Sequence, residues 1–150
     1  MDAKSLELLE FPQIRGILAG FTSFSASRAL AFNLQPLSDC EQISLLLRQS
    51  AEARHLLSLE PGFSIGGVID IREAVKMAAR GKVIEPRSLL EIQQTLTAIR
   101  QLRGTLEKLP GEFPLLWNIA KDMVEFRQLE GGISSCLAST GELLDSASPG

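Results

Sequence analysis

Apolar residues recur at intervals of three and four along most of the chain, which is the spacing of one face of an α-helix. The longest regular run starts at Pro86 and steps by 3, 4, 3, 3, 4 and 3 positions through Leu89, Ile92, Leu96, Ile99, Leu102, Leu106 and Leu109. This spacing is close to that of a coiled-coil seam. It predicts a long helix that packs antiparallel on another long helix.

Capping signals predict where the earlier helices begin. Pro12 suits the first position of a helix, and Ser25 is expected to cap a short helix that runs to Asn33. The segment Ser38–Glu41 has the S-x-x-E pattern of a capping box. It predicts a second long helix that ends at about Leu59.

Further capping and helix-ending residues divide the second half of the chain. Asp70–Glu73 resembles another capping box, and Gly81 suits the end of the helix that follows. Pro114 is expected to start a later helix. The helical pattern weakens after Leu129, where two adjacent glycines predict either a frayed helix or a strand over residues 133–138.

The predicted fold is mainly α, a multi-helix, bundle-like domain with long antiparallel helices and at most one or two short strands near the C-terminus. Glu142–Asp145 is the one strand candidate, and the sequence shows no evident partner for it. The unpaired strand and the closing segment LLDSASPG both suggest that the natural protein continues beyond Gly150.

Composition and charge narrow the class of protein. The 150 residues are 45% hydrophobic and 22% charged, with a net charge of −3 and a pI of about 5.2. Such values are typical of a soluble globule, and they argue against a dedicated nucleic-acid domain but not against a local basic patch. The N-terminus lacks the features of a signal peptide, and no apolar run is long enough for a membrane span. We therefore expect a cytoplasmic protein with no membrane partner, in which Cys40 and Cys136 are buried or idle thiols rather than a disulfide.

No catalytic constellation is present in the sequence. The chain lacks a phosphate loop, the G-x-G-x-x-G fingerprint, H-E-x-x-H and G-x-S-x-G. The single histidine, His55, has no evident acid, base or ligand partner. We therefore predict no catalytic, cofactor-binding or metal-binding residue, and no enzymatic activity, for this segment.

A basic stripe is the strongest candidate site. Basic residues recur every four positions after Asp70 and continue a little further along the chain: Arg72, Lys76, Arg80, Lys82 and Arg87. Like charges at this spacing repel one another on a helix, so the stripe could face an anionic partner such as a phosphate or an acidic protein surface. The alternative is a solvated face whose charge is neutralised by neighbouring acids, including Glu73.

Three segments of the chain together resemble the bacterial MutS-two family. They are LELLEFPQIRGILAGFTSFSASRALAFNLQPLSD at 6–39, IGGVIDIREAVKMAARGKVIEPRSLLEIQQTL at 65–96, and GELLDSASPG at 141–150. Each segment is moderately specific, and their order and spacing add to the resemblance.

The resemblance implies a place in a much larger protein. The layout that the resemblance implies comprises a helical core and lever, a coiled-coil clamp, an ATPase that dimerises and often a C-terminal Smr nuclease domain. Family members are described as acting on branched DNA and on collided ribosomes. The resemblance makes residues 1–150 the N-terminal part of the core and lever. The clamp, ATPase and Smr segments, with ATP and Mg²⁺, would lie elsewhere, so no catalytic residue carries over.

Three functions follow from these observations. The first is a non-catalytic core domain that couples the nucleotide state of a homodimeric MutS-two ATPase to binding of branched DNA or collided ribosomes. The second is a stand-alone helical interaction module that docks a partner helix in an apolar groove. The third is direct contact with nucleic acid through Arg72, Lys76 and Arg80.

Overall fold

The structure is a computed structural model that describes residues 3–60, 62–63 and 65–147. It is about 65% helical, which confirms the prediction of a mainly α fold. The chain forms two compact units, Met1–Phe63 and Ser64–Gly150. The helices described are α1 (Ala3–Leu8), α2 (Phe11–Gly20), α3 (Ser25–Phe32) and α4 (Cys40–Leu59) in the first unit, and α5 (Arg72–Ala79), α6 (Pro86–Glu107), α7 (Pro114–Ala120) and α8 (Arg127–Cys136) in the second.

In the first unit, α2 packs on both α1 and α3. The buried residues of α2 and α3 are the small Ala19 and Ala31. Small side chains bury little apolar area, so this pair of helices encloses only a thin core. Pro12 lies in the first turn of α2, as its fixed φ angle favours.

Two predicted caps in the first unit are each displaced by one residue, to Phe24 and to Asp39. Ser25 is the first residue of α3 and not its cap, and the Ser27 hydroxyl donates to the Phe24 carbonyl over 2.9 Å. Asp39, not Ser38, caps α4. Its Oδ1 accepts from the backbone N–H groups of Glu41 and Gln42 at 2.9 and 3.0 Å, because an aspartate at this position reaches the unpaired donors of the first turn.

In the second unit, Gly81 follows the end of α5, as the sequence predicted. Gly81 has φ of +70°, and its N–H donates to the Ala78 carbonyl over 2.9 Å. The next N–H, that of Lys82, donates to the Met77 carbonyl over 3.1 Å. These two bonds form the Schellman motif, in which a glycine takes the left-handed conformation without steric cost.

The core of the second unit forms where α6 meets α8. Ile92 and Leu96 of α6 pack with Ile133 and Leu137. Thr95, also buried, connects α6 to the segment before α5, because its Oγ1 accepts from the Ile69 N–H over 3.0 Å. The helices on which α6 packs are the short α7 and α8. Among the residues of this unit that the structure describes, the pairing with another long helix expected from the seam is therefore not found.

The C-terminal part differs from its sequence prediction. The helix α8 runs through Gly131 and Gly132, where the sequence predicted an interruption. The strand candidate reduces to one antiparallel bridge, in which Leu143 pairs with Leu137 and so has the partner that the sequence did not reveal. Asp145–Ala147 forms a short 3-10 turn, and the last three residues of the GELLDSASPG segment lie outside the described residues.

Candidate functional site

The predicted basic stripe lies on α5 and on the corner that joins it to α6. Arg72 and Lys76 occupy successive turns of α5, and Arg80 is its C-terminal cap. Lys82 follows in the connection, and Arg87 lies in the first turn of α6. All five side chains are exposed, so the stripe faces solvent.

Three of the five cations are neutralised by neighbouring acids. Arg72 forms a bidentate pair with Asp70, in which Nε donates to Oδ1 over 2.7 Å. This hydrogen bond and the carboxylate charge raise the pKa of Arg72 above its ordinary value. Lys76 Nζ lies 2.7 Å from Glu73 Oε1, and Arg87 Nε lies 3.5 Å from Glu91 Oε1. The stripe is therefore less basic than its sequence indicates.

Arg80 and Lys82 differ from the other three. Within the ranges that the structure describes, neither side chain forms an ion pair, and both are exposed. The Schellman hydrogen bonds hold the backbone between them. The positive charge available to a partner is thus concentrated at the α5–α6 corner.

A second charged cluster, which the sequence did not predict, joins α6 to α8. Glu130 is buried in the first turn of α8 and accepts from Thr97 Oγ1 over 2.9 Å. Its Oε2 also accepts from Arg100 Nη2 over 3.0 Å. A buried carboxylate needs such donors, since removal from water otherwise disfavours its charged form.

Glu125 extends this cluster just before α8 begins. It accepts from Arg103 Nη1 over 2.9 Å and from Arg127 Nε over 2.8 Å. The Arg103 guanidinium also lies 5.8 Å from the centre of the Trp117 ring, within the range of a cation–π interaction. The cluster therefore links α6, α7 and the start of α8.

The chemistry of the cluster is that of a structural attachment, and we call the ion pairs of Glu125 and Glu130 the brace. The hydrogen bond from Arg100 is the largest cause of the lowered pKa of Glu130. The hydrogen bond from Arg127 is the largest cause of the lowered pKa of Glu125. Both carboxylates are held in the charged form, while a general acid near neutral pH needs a raised pKa. The arrangement thus fits attachment of α8 to α6 better than proton transfer.

These lowered pKa values predict a dependence of stability on pH. Each carboxylate stabilises the folded chain fully above its unfolded pKa, near 4.5, and this contribution is lost as the pH falls through the lower folded pKa. The denaturation midpoint should therefore fall more steeply below about pH 5 in the native chain than in Glu130→Gln. Urea titrations between pH 3 and 7 measure this difference. Glu85→Gln, at an exposed acid, is the control and should follow the native profile; equal slopes in all three proteins would contradict the brace.

A shallow polar recess of about 360 Å³ lies beside this cluster. It is lined by Gln93, Thr97, Arg100, Arg127, Glu130, Gly131 and Ser134. The arginines at its rim are already bonded to Glu125 and Glu130, so little of their charge is left for a bound anion.

The remaining candidates are two cysteines and one histidine. Cys40 is an exposed free thiol, and Cys136 is a half-buried one. His55 lies exposed on α4. Over the described ranges, no group of three or more His, Cys, Asp or Glu residues is placed to hold a metal ion. Likewise, none of the described helices has the length and hydropathy needed to cross a membrane.

Comparison with known proteins gives a consistent result. No family model matches the chain. A protein of Thermomicrobium roseum named Endonuclease MutS2 is 35% identical over 152 residues, which cover 99% of this chain and 19% of that protein. Proteins of Pelotomaculum thermopropionicum, of the same name, and Bacillus subtilis, named Putative endonuclease MutS2, are 33% and 29% identical over similar lengths. The chain spans about a fifth of the length of these relatives. Because the similarity runs along almost all of its residues, the chain belongs to the MutS-two family, whose members bear the name MutS2.

Proposed function

We propose that this chain is a non-catalytic core segment of a MutS2-family protein. In this role it couples the nucleotide state of an ATPase to the binding of branched DNA or collided ribosomes. The complete protein would be a cytoplasmic homodimer that binds ATP and Mg²⁺ and has endonuclease activity. The observation that carries the proposal is the large apolar surface of the first unit.

That apolar surface is far larger than the buried core beneath it. Between residues 8 and 59, the described chain exposes fifteen large apolar side chains: Leu8, Leu9, Ile14, Ile17, Leu18, Phe21, Leu30, Phe32, Leu34, Leu37, Leu45, Leu46, Leu47, Leu57 and Leu59. Its buried residues in the same region are Ala19, Ala31 and Leu56. Scattered exposed leucines are ordinary, but extended exposed apolar surface marks a site that binds another surface.

The helix α2 shows how this surface is organised. Ile14, Ile17, Leu18 and Phe21 follow one another at helical spacing, and Phe21 is 83% exposed. Such a stripe normally faces a core. We propose that it packs on another part of a MutS2-family protein, which would make the first unit a docking element.

The second unit is suited to transmit movement. Its helix α6 has 22 residues and is about 33 Å long, and the ion pairs of Glu125 and Glu130 attach it to the segment that contains α8. A braced helix moves as one body when one end is displaced. This supports the coupling role, with the α5–α6 corner and α6 as the moving parts.

The test uses a complete chimera in which this chain replaces the matching segment of the Thermomicrobium roseum relative. The pair Ile17→Glu and Phe21→Glu places charge on the α2 stripe. We expect ATP hydrolysis without DNA or ribosomes to persist, and its response to branched DNA or collided ribosomes to fall at least tenfold, because coupling needs the docked surface.

The matched control is Val124→Glu, which changes an exposed apolar residue of the second unit. It should keep the full response. An unchanged response in the α2 double variant would refute the proposed role.

A second function, the stand-alone interaction module, is favoured by one observation. A recess of about 400 Å³ follows one face of α4 and is lined by Cys40, Ile43, Ser44, Leu47, Arg48 and Ala51. A shallow apolar helix face of this kind can pack on the apolar face of a partner helix. If neither Leu47→Glu nor the α2 double variant changes the response of the chimera, the interaction module is favoured over the coupling role.

A further inference from the structure

Among the described residues, a short antiparallel pair near the end of the second unit has one edge without a partner. Leu137, the C-terminal cap of α8, pairs with Leu143 through a single bridge. We propose that the outer side of Leu143 binds an extended strand from the part of a MutS2-family protein that lies outside these 150 residues. The strand adds to the pair by main-chain hydrogen bonds, the mode of recognition called β-augmentation.

The hydrogen bonds of the pair determine which way Leu143 faces. Two bonds of 2.9 Å join its neighbours, from the Ala138 N–H to the Glu142 carbonyl and from the Leu144 N–H to the Cys136 carbonyl. Leu143 lies between these bonds, so its own N–H and C=O point away from the pair. We call these two groups the Leu143 edge. No described residue forms a hydrogen bond with either of them.

The core of the second unit holds this edge in place. Leu137 is 5% exposed and packs with Ile92 of α6. The turn that joins the two sides of the pair is closed by a hydrogen bond of 2.9 Å from the Gly141 N–H to the Ala138 carbonyl. Gly141 has φ of +90°, which glycine adopts without steric cost. An edge that is already ordered loses less conformational entropy on binding.

The side chain of Leu143 adds an apolar contact to the edge. Residues directly opposite one another in an antiparallel pair carry their side chains on the same face. On that face Leu137 lies in the core, whereas Leu143 is 73% exposed. The apolar face therefore continues from the core to an exposed leucine. Because a pair of strands alone is marginally stable, a third strand stabilises it.

Charges beside the edge indicate the chemistry of the strand. Glu142 and Asp145 are exposed on either side of the two leucines, and neither forms an ion pair with a described residue. The described partner of the Glu142 carboxylate is the Thr140 hydroxyl, at 3.2 Å. We therefore expect a strand with an apolar residue opposite Leu143 and basic residues beside it, since opposite charges across a pair of strands attract. The same acids repel a nucleic-acid backbone.

The curated relatives have enough further chain to supply this strand. The matched segment is 19% of the Thermomicrobium roseum protein, so about four fifths of that protein lies outside it. A strand in the same polypeptide has a high effective concentration, which suits an edge that offers few hydrogen bonds. A second copy of this chain would bring the same acids to the edge and be repelled. The inference rests on membership of the family and not on the proposed coupling role.

Residue-resolved hydrogen exchange tests the proposal at one amide. In the 150-residue chain, the Leu143 N–H should exchange as fast as that of Val124, which is exposed and also has no described acceptor. In the chimera, the Leu143 N–H should exchange about a hundredfold more slowly because it donates to the added strand, while the rate at Val124 should not change. An equally fast Leu143 amide in the chimera would overturn the proposal. Slow exchange already present in the 150-residue chain would do so too, since the occupant would then be this chain or a second copy.

Two variants separate strand pairing from burial of the side chain. Leu143→Ala keeps both backbone groups, so the amide at position 143 should remain slow in the chimera. Leu143→Pro removes a donor that the described chain does not use, and edge strands tolerate proline. It should leave the circular dichroism of the 150-residue chain and its exchange at Leu144 unchanged.

In the chimera, the Leu144 amide should exchange about tenfold faster after Leu143→Pro, because the added strand is lost. This result is independent of the coupling test, so either proposal can fail while the other stands. Fast exchange at position 143 in Leu143→Ala would show that side-chain burial, and not a strand, protects the edge. A Leu144 amide in the chimera that is indifferent to Leu143→Pro would lead to the same rejection.

Discussion

Replacing Phe113 with alanine should lower the free energy of unfolding of the second unit by about 3–5 kcal/mol. Phe113 is 0% exposed and lies immediately before α7. Truncation removes the apolar contacts of the ring and leaves a cavity that the neighbouring helices cannot fill without moving. Urea denaturation followed by circular dichroism measures the change. The loss should appear as a lower midpoint at an unchanged slope.

Phe126 provides the matched control for this prediction. It lies 13 residues further along the same unit and is 49% exposed, so its ring is half in water. Phe126→Ala should cost less than about 1 kcal/mol, because little apolar area is removed from the folded interior. Equal effects of the two substitutions would show that Phe113 is not the packed residue described above.

Replacing Glu130 with alanine should lower the free energy of unfolding by about 1–3 kcal/mol. The substitution leaves Thr97 and Arg100 without their acceptor at the contact between α6 and α8. Arg100 is 36% exposed, so water compensates part of the loss and the effect stays below that of Phe113. The measurement is again urea denaturation, with the double variant Arg100→Ala and Glu130→Ala used to separate the pair interaction from the rest.

The control for the Glu130 prediction is Glu107→Ala. Glu107 is exposed and lies 4.0 Å from Arg103, a distance at which a surface ion pair contributes little. Its removal should change stability by less than about 0.5 kcal/mol. If Glu130→Ala is equally mild, the brace does not hold α8 to α6.

Much of the helical pattern could be predicted from the sequence, because local signals determine it. Pro12, Gly81, Pro86 and Pro114 act on their own backbone, and each lies where the start or end of a helix was expected. The MutS-two resemblance was likewise carried by short segments and is confirmed by relatives that cover 99% of the chain.

The course of α8 could not be predicted in the same way. Gly131 and Gly132 disfavour a helix by about 1 kcal/mol each, so the local pattern indicated a break. The structure places Ile133 in the core and bonds Glu130 to Arg100 thirty positions earlier. These tertiary contacts offset the poor local propensity, and no local pattern reveals them.

The candidate site was predicted only in part. The sequence indicated the five basic residues and named Glu73 as a neutralising acid of the alternative interpretation, and the structure pairs Glu73 with Lys76. The sequence did not show that Asp70 and Glu91 neutralise Arg72 and Arg87, because an ion pair depends on side-chain conformation. The distinction between these residues and the Arg80–Lys82 corner therefore required the structure.

Hydrogen exchange tests the central claim, that the apolar surface of the first unit is covered in a complete MutS2-family protein. The comparison is between the 150-residue chain alone and the same residues within the chimera. If another segment packs on α2 and α3, their amides (Phe11–Gly20 and Ser25–Phe32) should exchange at least tenfold more slowly in the chimera, while buried α6 positions such as Leu96 serve as the internal reference. Equal exchange rates for α2 and α3 in the two proteins would contradict the account.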